Sequence, residues 1–303
     1  MSYITPSLKI DLKLPLAVVA HDAGAANLIA AWLKNISIKD IRLSSDGPAL
    51  SIFACELPHL TNIPLTDALK DANTLLSGTS SCQSKIEHEA RDLAREQGIY
   101  SITVLDHWVN YANRFVHEER QVLPDEIWVS DEIAFSIAQN SFRSTLIRQL
   151  PNSYLERLVE KINANQLLDV DGKTHVLYAL EPIYEKWSKY DDTPGEFQAL
   201  DFFISKLELL GLKNNTKIIL RPHPSDPKSK YNEWIHKHNH LDISVDITQT
   251  LCDLIAWADW VVGCETFAMI IALHANKQIL STLPPWAPPC RLPQKNIRML
   301  RTL

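Results

Sequence analysis

The run KIILRPHPSD, Lys217 to Asp226, leaves an apolar stretch and at once sets an arginine and a histidine between two prolines. Proline fixes φ, lacks a backbone donor and pushes the preceding residue into extended geometry, so Arg221-Pro222-His223-Pro224 reads as a rigid exit from a strand. Arg221 stays cationic and His223 can donate to a phosphate oxygen without a full charge, so the pair suits an anion, while Arg221 equally fits a structural ion pair. Further on, DWVVGCETF reads as a buried strand, a close-approach turn at Gly263 and a helix opening at Thr266. There Glu265 is placed to accept from ribose hydroxyls, and Thr266 with the first helical N–H groups to bind phosphate; an ordinary capped helix explains the same residues. Glu181, in YALEP, ends another strand before a proline, either as a ligand acceptor or as a cap.

The first half of the chain carries three more clusters. In HDAGAAN, His21 to Asn27, Gly24 and its small neighbours admit a ligand near a helix N-terminus with Asn27 alongside, or form a tight βα turn in which Asp22 is the cap. In LLSGTSSCQSKIE, Gly78, Thr79, Ser80 and Ser81 offer hydroxyls and exposed amides to a phosphate or a sugar, or simply cap the next helix. VLDHWVNYANRF is denser: Asp106 and His107 end a strand, followed by Trp108, Tyr111 and Arg114. A carboxylate beside an imidazole suits a general base or a hydroxyl anchor, and Trp108 and Tyr111 bring apolar faces that suit a sugar ring. The alternative is an aspartate cap over core aromatics.

All of these residues fall just after short apolar runs, and that placement defines the elements. Leu16 to Ala20 reads as a buried strand, with a turn at 21–24 and a helix from Ala25 to Lys34. Further strands are expected at Leu50 to Ala54, Thr74 to Ser77, Ile99 to Leu105 and Glu126 to Val129, then at Val176 to Leu180, Lys217 to Leu220, Ile243 to Asp246, Trp260 to Val262 and Gln278 to Ser281. Ser84 to Gln97 has Ile86, Ala90, Leu93, Ala94 and Gln97 at helical spacing, and Gly98 is its stop. Continuous apolar strands alternating with helices imply parallel sheets covered on both faces. The polar stretch LDVDGKTH, Leu168 to His175, divides the chain into two α/β domains, residues 1–170 and 171–282. A proline-rich tail, 283–303, carries Arg291, Lys295, Arg298 and Arg301 and no acid; it either crosses back to the first domain or meets an anionic surface, such as a membrane.

Composition narrows the partners. With 303 residues, 46% of them hydrophobic and 22% charged, the chain can bury two cores. A formal net charge of −6 argues against a nucleic-acid binder, which needs a basic face. The five cysteines are odd in number and lack CxxC spacing, so neither a disulfide framework nor a zinc site is expected, and a reducing, cytoplasmic setting is. No apolar run approaches the roughly 18 residues of a membrane span, and the start lacks a signal-peptide core.

RPHP, Arg221 to Pro224, and DWVVGCETFAMIIALHA, Asp259 to Ala275, together resemble bacterial glycosyltransferases of the GT-B type. More narrowly they are similar to the metal-independent transferases that use CMP-activated acidic sugars, the sialyltransferase and Kdo-transferase kind, and to capsule polysaccharide transferases. The resemblance implies an α/β fold of two Rossmann-like domains facing across a cleft, no cofactor or metal, and His223 and Thr266 on the donor phosphate. It also implies a CMP-sugar and a glycan or lipid-linked glycan as partners, with the second domain holding the donor. Such families often set their base in an acidic pair before glycine; this chain has none in its first domain, and Asp106, then Asp22, are the positional choices for base. Two other classes share the pattern: a sugar-nucleotide epimerase or hydrolase, and a non-catalytic polysaccharide assembly or export protein.

Overall fold

The computed structural model describes residues 12–34, 39–80, 84–165, 171–187 and 192–303. Ser81 and the first residues of the linker at Leu168 lie outside them. The chain forms two compact units, Met1–Tyr154 and Leu155–Leu303. Each is a parallel sheet of six strands.

The first unit runs β1 (Leu16–Ala20), α1 (Ala23–Lys34), β2 (Ile41–Ser45), α2 (Gly47–Glu56), α3 (Leu65–Leu69), β3 (Thr74–Ser77), α4 (Ile86–Gln97) and β4 (Tyr100–Leu105). After a small antiparallel pair, β5 (Val116–His117) and β6 (Arg120–Gln121), come β7 (Glu126–Val129), α5 (Glu132–Ser141) and β8 (Leu146–Gln149). Spatial order is β2-β1-β3-β4-β7-β8, so the winding reverses between β1 and β3. The inner strands β1, β3 and β7 are buried along their whole length, as strands covered on both faces must be. Trp32 and Trp128 meet edge to face beneath the sheet at 5.7 Å, and Trp32 Nε1 donates to Pro151 O at 2.8 Å.

Helix α6 (Ser153–Ala164) leads into the second unit: β9 (Thr174–Ala179), α7 (Gly195–Ser205), β10 (Thr216–Arg221), α8 (Asn232–Lys237), β11 (Ile243–Val245), α9 (Leu251–Trp257), β12 (Trp260–Gly263), α10 (Phe267–His274), β13 (Gln278–Ser281) and β14 (Arg298–Met299). The order β11-β10-β9-β12-β13-β14 reverses between β9 and β12. The basic tail is part of this sheet, because β14 pairs with β13 at its edge. Its arginines have partners there: Arg301 donates to the carbonyls of Pro285, Ala287 and Pro288, and Arg298 lies 5.4 Å over the Trp260 ring. Among the described residues no helix is long and apolar enough to cross a membrane.

Two expectations need correction. Leu50 to Ala54 is not a strand but the body of α2. Asp46 caps that helix with its side chain, Pro48 sits in its first turn, and Ala49 and Phe53, four apart, face the core. A five-residue apolar run fits either period, and the cap decides. Helix α1 also starts at Ala23, so Gly24 lies inside its first turn and not in a loop before it. In the first sheet the strands that the apolar pattern does not mark, β2 and β8, are the two edges, where polar side chains such as Arg42, Arg148 and Gln149 interrupt the apolar run. The stop at Gly98 is present, with that residue in left-handed geometry.

Phe53 is 1% exposed and Leu50 42%. Phe53→Ala is therefore expected to lower the unfolding free energy by about 3–5 kcal/mol and Leu50→Ala by less than about 0.5. Urea titrations showing equal losses would contradict the helical placement.

Candidate functional site

In open parallel sheets ligands meet the carboxyl edge where the winding reverses. In the first unit that edge holds His21 and Asp22 after β1, Gly78 to Ser80 after β3 and Asp106 after β4. His21 Nδ1 lies 2.6 Å from Asp22 Oδ1, and the His21 backbone N–H donates to Glu87 Oε1 at 3.1 Å. Asp106, its side chain 14% exposed, pairs with Arg114 at 3.3 Å. The same guanidinium nitrogen donates to Thr79 O and Oγ1 at 3.3 and 3.0 Å, joining the loop after β3 to the end of β4. Burial raises the Asp106 pKa, against the lowering pull of Arg114 and His107.

Gly24 has a different use from the one expected. A methyl group there would stand 2.8 Å from Asp106 Cγ and overlap the carboxylate itself. The space opened beside α1 is thus filled by Asp106. Asn27 Nδ2 donates to Ala23 O, one turn back along α1, at 2.8 Å. Ser80 is buried beside Glu87, and His107 Nδ1 accepts the Trp108 N–H at 3.0 Å.

The aromatic pair does not offer its faces to a sugar. Trp108 is 7% exposed with Nε1 bonded to Asp131 at 2.8 Å, and Tyr111 is 4% exposed, stacked on Phe142. Both rings are spent on packing, which is the core reading of VLDHWVNYANRF. Conversely, the sequence pattern does not single out Glu87. Spacing gives α4 an apolar face, yet Glu87, His88 and Arg91 are buried with Ala90 and Ala94. Burial pushes the Glu87 carboxyl up and brings His88 down to about 4, with Arg91 and His117 adding to the latter.

In the second unit the strands β10, β9 and β12 are neighbours, and their exits carry Arg221 to Pro224, Glu181 and Gly263 to Thr266. With about 4.8 Å between strands, the outer two exits are about 10 Å apart. Glu181 Oε1 accepts the N–H groups of Cys264 and Glu265 at 3.1 and 2.8 Å, so a carboxylate of the protein fills the amide concavity of that turn. Burial raises the Glu181 pKa to about 7, opposed by those two amides. Glu265 accepts Arg291 through the backbone N–H and the guanidinium. Thr266 caps α10 by accepting from Ala268 N at 3.3 Å, and its hydroxyl proton is donated to no described residue. Gly263 is a close-approach residue: an added methyl would stand 2.7 Å from Ala179 O. Arg221 is tied down, donating to Asp246 O and Gln249 O at 3.3 and 2.6 Å. His223 is exposed beside it.

Among the described residues no cluster of three His, Cys, Asp or Glu side chains is arranged to hold a metal ion. An Asp-x-Asp triplet, a common metal-binding pattern, lies at 169–171; Asp169 is outside the described residues, and Asp171 meets His175 Nε2 at 3.0 Å.

Two doubly wound parallel-sheet domains in one chain define an α/β fold of the GT-B type. No family model and no curated protein matches the chain. Among solved structures it is similar to the glycotransferase of kitacinnamycin, with a TM-score of 0.53 and 12% identity over 88% of this chain and 79% of that one. It is also similar to the UDP-N-acetylglucosamine 2-epimerase from Rickettsia bellii, with a TM-score of 0.54 and 13% identity over 88% and 78%. At these identities the likeness is one of fold.

Two measurements check the geometry. Gly24→Ala should destabilise by about 1–3 kcal/mol, and less so in an Asp106→Ala background, because the clash is with that side chain. Strict additivity in the double-mutant cycle would refute the contact. The Glu181 carboxyl keeps its proton in the folded chain up to about pH 7 but loses it near 4.5 when unfolded. The folded state then holds more protons across that window, so this group's contribution to stability falls as pH rises, by up to about 1.4 kcal/mol per unit, and levels off above it. Glu181→Gln keeps an acceptor for both amides and should remove that slope; wild-type and variant urea midpoints that run parallel across the window would show the carboxyl is not perturbed.

Proposed function

We propose that the protein is a glycosyltransferase that takes an acidic sugar from a CMP-linked donor, with no metal, and passes it to a glycan or lipid-linked glycan hydroxyl. The observation that carries this reading is the second unit's carboxyl edge, where His223 and Thr266 follow the strands on either side of β9 and each carries a donor that no described residue takes up. The GT-B fold supports a sugar nucleotide as that anion's source.

In this reading the acceptor oxygen forms a bond to the anomeric carbon while that carbon's bond to the CMP phosphate oxygen breaks. Charge growing on the leaving oxygen is met by the Nε2–H of His223, the Thr266 hydroxyl and the positive end of α10. The acceptor's proton passes to Asp106, whose burial raises its proton affinity while Arg114 holds its orientation. Asp22, bonded to His21, is the second choice of base. With Arg221 spent on carbonyls, the donor edge has a small positive inventory, which favours one phosphate over two. A membrane contact through the tail rests on the basic residues of 283–303 alone.

The likeness to a UDP-sugar epimerase sustains one other reading, in which free nucleotide and an altered sugar appear with no transfer. Calorimetry with CMP and UDP in EDTA, followed by turnover assays, separates them. CMP should bind under EDTA, and His223→Ala should weaken that binding by at least about tenfold, about 1.4 kcal/mol. Asp106→Asn should lower transfer far more than nucleotide affinity. Tight UDP binding with no response to CMP would overturn the donor; unchanged CMP affinity in His223→Ala would overturn the site.

A further inference from the structure

The loop after β10 does more than hold His223 in place. The Ser225 backbone N–H lies 3.2 Å from His223 Nδ1 and the Ser225 hydroxyl 2.7 Å from it. A backbone amide only donates, so Nδ1 must be the ring nitrogen that bears the lone pair. The hydroxyl then donates to the same nitrogen, and the ring proton sits on Nε2, which makes no hydrogen bond to a described residue.

The loop itself is anchored from below. Asp226, its side chain fully buried, accepts the His223 backbone N–H at 3.1 Å and the Tyr231 hydroxyl at 3.0 Å. Lys230 Nζ lies 2.7 Å from Asp226 Oδ1 and 2.7 Å from Glu196 Oε1, and Glu196 Oε2 accepts from Ile183 N at 2.8 Å. One lysine therefore links the exit of β10 to the exit of β9, where Glu181 stands. Two carboxylates around a single ammonium leave little freedom for the turn between them.

We infer that Ser225 is a positioning residue which, on the Asp226–Lys230–Glu196 base, holds His223 in one neutral tautomer, its Nε2–H facing outward as a hydrogen-bond donor to the leaving phosphate. This rests on the donor-site reading, and it adds that the group is a fixed donor and that its orientation is set two residues away. The geometry also restricts replacements. A glutamine places an amide N–H near the position of Nε2, whereas an asparagine places one near Nδ1, where two donors already converge.

Nitrogen NMR of the full chain with labelled histidine reports the tautomer directly, the His223 signals being assigned by their loss in His223→Gln. Protonated Nε2 and bare Nδ1 are expected. CMP titration should find the Gln variant tighter than His223→Asn by about threefold or more, with a similar loss in Ser225→Ala that Ser225→Thr restores. A proton on Nδ1, or an Asn variant that binds as well as Gln, overturns the inference. Failure of the donor-site reading looks different: CMP affinity is then indifferent to every substitution at His223, including Ala, whatever the tautomer.

Discussion

Both sheets are buried on two faces, and this constraint arranges everything else in the molecule. A parallel strand flanked by helices on each side has no solvated face on which to carry a functional polar group. Charge is therefore displaced to the strand exits, and chiefly to those nearest the reversal of winding. His21, Asp22 and Asp106 stand at one such edge, and Glu181, His223 and Thr266 at the other.

At these edges the chain neutralises most of its own charge. Asp106 has Arg114, Glu265 has Arg291, Asp226 has Lys230, and Glu181 has the amides of the turn after β12. The Asp106–Arg114 and Asp226–Lys230 pairs are largely buried; such pairs add little net stability over an apolar replacement, but losing one partner strands the other. Their value is geometric. They fix loops that a proline or a short turn only biases, and they leave few donors uncommitted. His223 stands out for this reason: Arg221, its neighbour in the motif, is absorbed by two carbonyls, while the histidine keeps one nitrogen clear of the described residues.

The amide concavity before α10 shows how local pattern and tertiary contact differ. Strand, glycine, hydroxyl and helix together describe an anion-binding turn, and two of its amides do meet an acidic side chain. That side chain is Glu181, more than eighty residues earlier in the chain. Likewise, Gly24 does allow close approach at the start of α1, and the group that approaches is Asp106. In both places the chemistry was legible and the partner was not.

What the sequence alone determined is what short-range physics controls. Strand β1 is apolar from end to end, β3, β7 and β13 each carry a short apolar run, Gly98 ends α4, and Thr266 opens α10. These rest on period, capping and backbone conformation within a few residues. The paired edge strands, the buried charges of α4, the loss of Trp108 and Tyr111 to the core and the commitment of Arg221 depend on which distant segments meet. A side chain's partners are set by strand order and helix rotation. Neither is encoded within a window of ten residues, because each minimises the exposed apolar surface of a whole unit and not of a single element.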